Sequence, residues 1–399
     1  MRLNKRAICA LSLSVISGIV AVQAQAPAPC PPLPRPAGRV GPSGAAASGP
    51  GGGAVRPAPT VGGFGQNAEM NKSTVLPTNS PLIGLPNPYR EDFDWPKMPV
   101  GRVYGDTRAV AIDADGKSVW IVDRCDLTGS GCSKAENKNV NPIMHFDANG
   151  NLIKSFGAGT FAAPHGVFVD DQDHIWTTDG GGQDPTTCKP IGNTLREYTA
   201  DGKMLMEIKG PVNGKPFTGL NDVVIDPKSG DIFLADGHGG GPGGEPANDR
   251  IMKFDKTGKF LMEWGQPGKG DSDISIPHGL AIDKEGRIYV ADRSNGAVKV
   301  FDQNGKLLNV WKQFGPPSGV YVRNEWLYVA DETANNPKTN PDLSPGIRIA
   351  KVSDGKILYN IPYVPGNALE GVSVDAAGNV YGANTNQPRA VRWLKVQAP

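Results

Sequence analysis

Two histidines of this chain stand in the same local sequence, Pro164-His165-Gly166-Val167 and Pro277-His278-Gly279-Leu280, and the chain has five histidines in 399 residues. They lie 113 positions apart. Convergent packing would rarely give two imidazoles the same setting, so a shared task is the better explanation. Imidazole nitrogens suit a borderline ion such as zinc, and a carboxylate can complete the set while a position stays open for water or substrate. Glu370, in Leu369-Glu370-Gly371-Val372, holds the corresponding place in a third segment. His165, His278 and Glu370 are therefore the expected metal ligands. Two more residues suit a ligand held there. Arg124 could clamp a carboxylate through two parallel hydrogen bonds, and His238, in Asp236-Gly237-His238-Gly239, could exchange a proton near neutral pH.

Bringing residues so far apart to one point needs a repeating scaffold, and the sequence has one. The segment from Ile276 to Gly296 reads as a short strand, a polar turn, a second strand and a charged loop, and two more strands follow around the turn at Asn304-Gly305. Copies begin at Thr107, Pro164, Leu220, Pro317 and Leu369, which makes six. Four short strands per unit, repeated, are the signature of a β-propeller blade. The sixth copy runs out after its third strand, AVRWLKV from Ala390. An open strand edge is a liability, so the missing outer strand is expected from Tyr89 to Met98.

In a propeller the innermost strands line the central channel, and equivalent positions form rings about the axis. One ring is Arg108, His165, Asn221, His278, Ser318 and Glu370. Arg108 also gives Glu370 an ion-pair partner. A second ring, at or after the end of each second strand, is Arg124, Gly180, His238, Arg293, Glu332 and Asn384. The repeated Asp179, Asp236, Asp292 and Asp331 read as structural hydrogen-bond acceptors. The Asp-x-x-Gly segments at Asp113, Asp283 and Asp375 read as hairpin turns, since they lack the twelve-residue ligand pattern of a calcium loop.

Composition narrows the remaining choices. With 41 basic and 40 acidic residues the chain has no charge excess to recruit nucleic acid or an anionic membrane. Residues 1–24 carry a basic start, an apolar run and small residues before the expected cleavage point after Ala24, the pattern of an export signal. The apolar run is too short for a comfortable bilayer span, so a secreted or periplasmic protein is expected. Residues 25–85, opening with a Pro/Gly/Ala-rich tract, are expected to be a disordered linker, and residues 86–399 the propeller. Export permits disulfides. Cys125 and Cys132 could close a small loop, with Cys188 as a competing partner. There is no Cys-x-x-Cys pair, which argues against a thiolate zinc site.

On these motifs the chain resembles the NHL-repeat propellers, and among them the peptidyl-α-hydroxyglycine α-amidating lyases. The likeness covers most of Thr107 to Trp393 and is strongest around PHGVFVD, FLADGHGG and IPHGLAID. It implies a zinc enzyme that cleaves the N–Cα bond of a C-terminal α-hydroxyglycine, releasing an amide and glyoxylate. His165 and His278 match two of that family's zinc histidines, and Arg124 matches its active-site arginine. Two positions depart from the pattern. Glu370 stands where the family has its third zinc histidine, with Gly371 at the place of an acidic ligand to a structural calcium, and His238 stands where it has a tyrosine base. The resemblance thus implies zinc and leaves calcium open. No copper monooxygenase sequence precedes the repeats, so the hydroxyglycine is expected to come from another enzyme.

The expected protein is thus an all-β, six-bladed NHL-type propeller. It would act, as an exported monomer, on a small-molecule or peptide substrate with a C-terminal carboxylate. A metal-dependent lactonase using Glu370 and Asn221, and a non-catalytic NHL-repeat scaffold, are the alternatives.

Overall fold

The computed structural model describes residues 85–396 apart from 128–130, 185–186, 239–245, 332–345, 363–367 and 386. The expected signal, residues 1–24, and nearly all of the expected linker lie outside the described residues. Six four-stranded antiparallel sheets follow one another along the chain. The first uses Thr107–Ile112, Val119–Asp123, Ile143–Phe146 and Leu152–Phe156, in that order from the inside outward. Each innermost strand packs against those of the two neighbouring blades, and the sixth returns to the first. The chain is a six-bladed β-propeller, as the repeats imply.

Closure of the ring follows the expected route. Tyr89–Asp92 pairs antiparallel with Arg389–Lys395 as the outer strand of the sixth blade. Just beyond it Trp95 is buried, with its ring 4.9 Å from that of Tyr381. Arg389 Nη2 lies 2.7 Å from Glu91 Oε1, which ties the two ends of the chain together at the seam.

The apolar core lies between blades rather than in one central mass. A representative cluster joins Val224, Phe233 and Ala235 of the third blade to Leu280, Ile288 and Val290 of the fourth. Burying an aliphatic or aromatic side chain of this kind contributes about 1.5–3 kcal/mol, so the alternating apolar residues of every strand press the blades together. The repeated aspartates hold the strand ends. Asp179 accepts the N–H groups of Ala162 and Ala163, each at 2.9 Å, and Asp236 accepts Thr218 N–H at 2.6 Å and Arg250 Nε–H at 3.0 Å. The turn aspartates accept N–H groups of their own hairpins, and Asp283 also accepts the Tyr289 hydroxyl at 2.9 Å. Both sets are structural.

Cys125 and Cys132 form a disulfide, which settles that pairing. Cys188 is also disulfide-bonded.

One backbone feature recurs at the axis. In every blade the pairing of the first strand with the second is interrupted around the ring position, between Thr107 and Ala109, Pro164 and Val167, Leu220 and Val223, Pro277 and Leu280, Pro317 and Gly319, and Leu369 and Gly371. Bulges of this kind re-aim a side chain. Here each interruption holds one ring residue.

Candidate metal centre on the propeller axis

The bulges turn His165 and His278 towards each other, and their ring centroids lie 4.8 Å apart. Each ring is fixed from behind by the next blade in sequence. His165 Nδ1 is 2.9 Å from the Asn221 carbonyl, and His278 Nδ1 is 3.2 Å from the Ser318 carbonyl. A carbonyl only accepts, so each Nδ1 carries the proton and each Nε2 presents a lone pair. The strands must approach closely for these bonds to form. A Cβ on Gly279 would lie 2.5 Å from the Ser318 carbonyl oxygen, which explains glycine beside the ring histidine.

His238 reaches the same point from the loop after the second strand of the third blade. Gly237 N–H and His238 N–H both donate to the Gly219 carbonyl, at 2.9 and 3.2 Å. Gly219 has φ +117°, and a Cβ there would be 2.8 Å from the His238 Cβ, so only glycine lets the loop fold down. The His238 ring centroid lies 5.1 Å from that of His165 and 5.4 Å from that of His278. All three histidines offer ring nitrogens within 4.8 Å of one another. Their Nε2 atoms are buried and have no hydrogen-bond partner.

Glu370 joins the cluster from the sixth blade. Its carboxylate oxygens lie 3.7 Å from His165 Nε2 and 3.7 Å from His278 Nε2. Arg108 pairs with Oε1, and Arg293 Nη1 is 3.7 Å from the same oxygen. Oε2 has no hydrogen-bond partner. Arg124, also buried, donates from Nε to the Pro164 carbonyl at 3.2 Å and lies 3.7 Å from Asp106. Asp106 in turn pairs with Arg108.

Electrostatics prepare these groups for a cation and an anion. Burial, with a further push from the neighbouring His278 and other charges, holds His165 well below its ordinary pKa. Burial and Arg293 do the same to His238, and bring His278 to about 3. The imidazoles are neutral at pH 7, the form that binds metal. Burial raises the Glu370 carboxyl, but the guanidinium groups, Arg108 first and Arg293 after it, outweigh burial and keep the group anionic. Burial and Arg108 bring Arg124 down to about 10, so it remains charged. Three guanidinium groups, of Arg108, Arg124 and Arg293, border the carboxylates of Asp106 and Glu370.

All five residues singled out from the sequence therefore meet or border one cluster. The difference lies in its make-up. His238 was expected to be a proton acceptor beside a His165, His278 and Glu370 set, and it instead offers a ring nitrogen within 4.8 Å of those of the two other histidines. Arg293 and Asp106 were not singled out for the site, although Arg293 stood at a ring position. Glu332 of the same ring lies outside the described residues. Below the ring a cavity of about 730 Å³ runs along the channel, with His165, His278, Glu370 and Arg108 among its lining.

An orphaned trio of neutral Nε2 atoms with an adjacent carboxylate fits a zinc-like ion. Gly371 offers no side-chain ligand for calcium, and no calcium site is assigned.

Comparison with known proteins agrees with the fold. The NHL repeat family matches residues 275–301. NHL repeat-containing protein 3 of Homo sapiens is 30% identical over 234 residues, covering 56% of this chain and 59% of that protein. The probable peptidyl-alpha-hydroxyglycine alpha-amidating lyase pgal-1 of Caenorhabditis elegans is 28% identical over 246 residues, covering 57% of this chain and 61% of its own length. The corresponding lyase 1 of Drosophila melanogaster is 28% identical over 253 residues, with 58% and 43% covered. This chain thus spans about three-fifths or less of those relatives. A gluconolactonase from Xanthomonas campestris shares the fold, with TM-score 0.51 and 17% identity over 74% of this chain and 88% of that one. The class is a six-bladed propeller with an NHL repeat and a buried histidine cluster. Within that class the chain resembles the peptidyl-α-hydroxyglycine α-amidating lyases, and this similarity supports a propeller enzyme.

Proposed function

We propose that the protein is an exported, metal-dependent carbon–nitrogen lyase that splits an N-acyl hemiaminal of the α-hydroxyglycine type into an amide and glyoxylate. The observation that carries this reading is the meeting of three histidine rings, each with an Nε2 that has no hydrogen-bond partner, beside the Glu370 carboxylate, whose Oε2 also has none. His165, His278 and His238 would hold a zinc ion, with Glu370 beside them. Bound there, the ion would polarise the substrate hydroxyl and lower its pKa.

The remaining work falls to side chains. Arg124, with Arg293 across the cluster, binds the substrate carboxylate and so directs the hydroxyl-bearing carbon to the histidines. Glu370 Oε2 accepts the hydroxyl proton. As the C–O bond gains double-bond character the C–N bond breaks, its electron pair passes to the amide nitrogen, and that nitrogen takes up the proton that Glu370 had accepted from the hydroxyl. The products are a primary amide and glyoxylate. This scheme exchanges the parts first given to His238 and Glu370.

Incubation of the purified protein with an N-acyl-2-hydroxyglycine tests the proposal. Equimolar amide and glyoxylate are expected, with loss on chelation and recovery on adding zinc. Lactone hydrolysis without glyoxylate would overturn the lyase reading in favour of the lactonase.

A further inference from the structure

Every residue of the inner ring buries a side-chain polar atom that has no protein partner: Arg108 Nε, His165 Nε2, Asn221 Oδ1, His278 Nε2, Ser318 Oγ and Glu370 Oε2. Four of these belong to the metal and charge cluster. Asn221 and Ser318 do not, yet both side chains belong to residues that are fully buried, at 0% exposure. Leaving a buried donor or acceptor unpaired is unfavourable, so a ring made wholly of such atoms implies a polar guest.

The orientation of Asn221 is determined. Its Nδ2 donates to the Pro277 carbonyl at 2.7 Å, which leaves Oδ1 as a pure acceptor. The Ser318 hydroxyl can donate. In blade order Asn221 stands between His165 and His278, and Ser318 between His278 and Glu370. An acceptor and a donor therefore flank His278.

We propose that this pair recognises the secondary amide of the substrate, with Asn221 Oδ1 accepting its N–H and Ser318 Oγ donating to its acyl oxygen. The assignment rests on the lyase reading and names the part of the substrate that the metal cluster leaves unbound. Ser318 would also stabilise negative charge that reaches the acyl oxygen when the C–N electron pair moves to nitrogen. A tertiary amide lacks the N–H and would leave Asn221 unpaired, and a site built on buried polar groups discriminates strongly against such an analogue.

Substitution can separate this role from a structural one, because both backbone carbonyls that hold the histidines survive it. Ser318→Ala deletes a hydroxyl with no internal partner, so thermal stability should be unchanged or higher while kcat/KM falls roughly tenfold or more. Asn221→Leu should abolish the preference for an N–H substrate over its N-methyl counterpart. Binding of N-benzoylglycine, which has the acyl-NH-CH2-carboxylate skeleton without the reacting hydroxyl, is measured by calorimetry on the zinc-loaded protein. Wild type should bind it roughly tenfold more tightly than either variant and more tightly than N-benzoyl-N-methylglycine. Equal binding by wild type and both variants would overturn the proposal, as would no binding by wild type. Unequal binding without glyoxylate release would instead sink the lyase reading and leave the amide site standing. Loss of zinc from Asn221→Leu would make Oδ1 a metal ligand and overturn the proposal too.

Discussion

Replacing Arg108 by methionine probes the charge balance of the ring directly. Arg108 pairs with Glu370 Oε1 and with Asp106, and the two side chains of the Glu370 pair are 13% and 1% exposed. Methionine preserves the length of the stem but strands the Glu370 carboxylate, whose next guanidinium, that of Arg293, is 3.7 Å away. Removing one partner of a buried ion pair destabilises by about 3–5 kcal/mol. Arg108→Met is expected in that range, measured by urea denaturation at pH 7 in the presence of a chelator. Glu370→Gln removes the charge itself, so the double variant should be less destabilised than the sum of the singles, with a coupling of about 2 kcal/mol or more. Zinc placed beside Glu370 would partly replace the lost guanidinium. Adding it should shrink the Arg108→Met deficit. A single-variant loss under about 1 kcal/mol, or strict additivity in the double variant, would refute the reasoning.

Three further expectations follow from other parts of the molecule. Burial raises the Asp222 carboxyl to about 7, so the folded chain keeps a proton that the unfolded chain has released. Stability should therefore fall by about 1.4 kcal/mol per pH unit as pH rises from about 4 to 7 and then level off; Asp222→Asn should remove that slope in urea titrations, and an unchanged slope would contradict the assignment. The Cys125–Cys132 disulfide spans a sequence separation of 7, and closing so short a loop contributes about 2–3 kcal/mol, which the double serine variant should lose in thermal unfolding. Trp95→Ala, at 3% exposure against Tyr381 and Phe146, should destabilise the seam by about 3–5 kcal/mol; a loss near zero would mean that the N-terminal strand does not hold the ring closed.

The blades were legible because each repeats the same alternation of apolar and polar residues, with an aspartate at the first turn of every blade but the fifth, and the sixth visibly lacked a strand that Tyr89–Asp92 supplies. The ring was legible for the same reason, since equivalent positions must face one axis. The part of His238 was not. It lies on a glycine-rich loop outside the inner strands, and no period says that such a loop folds down to the axis. The physical signal was there in part: Gly219 and Gly237 stand on either side of the closure that the two N–H bonds to the Gly219 carbonyl make. Arg293 stood in the second ring, and its 3.7 Å approach to Glu370 ties it to the cluster. Cys188 showed the opposite limit, because competition between Cys125, Cys132 and Cys188 could be resolved only by which pairs of Cα atoms meet.

Zinc X-ray absorption on the metal-loaded protein tests the central claim most directly, because multiple scattering from imidazole counts histidine ligands. Three imidazoles are expected in the wild type and two or none in His238→Ala. A wild-type site with two imidazoles and a spectrum unaltered by His238→Ala would contradict the convergence of His165, His238 and His278 on one ion.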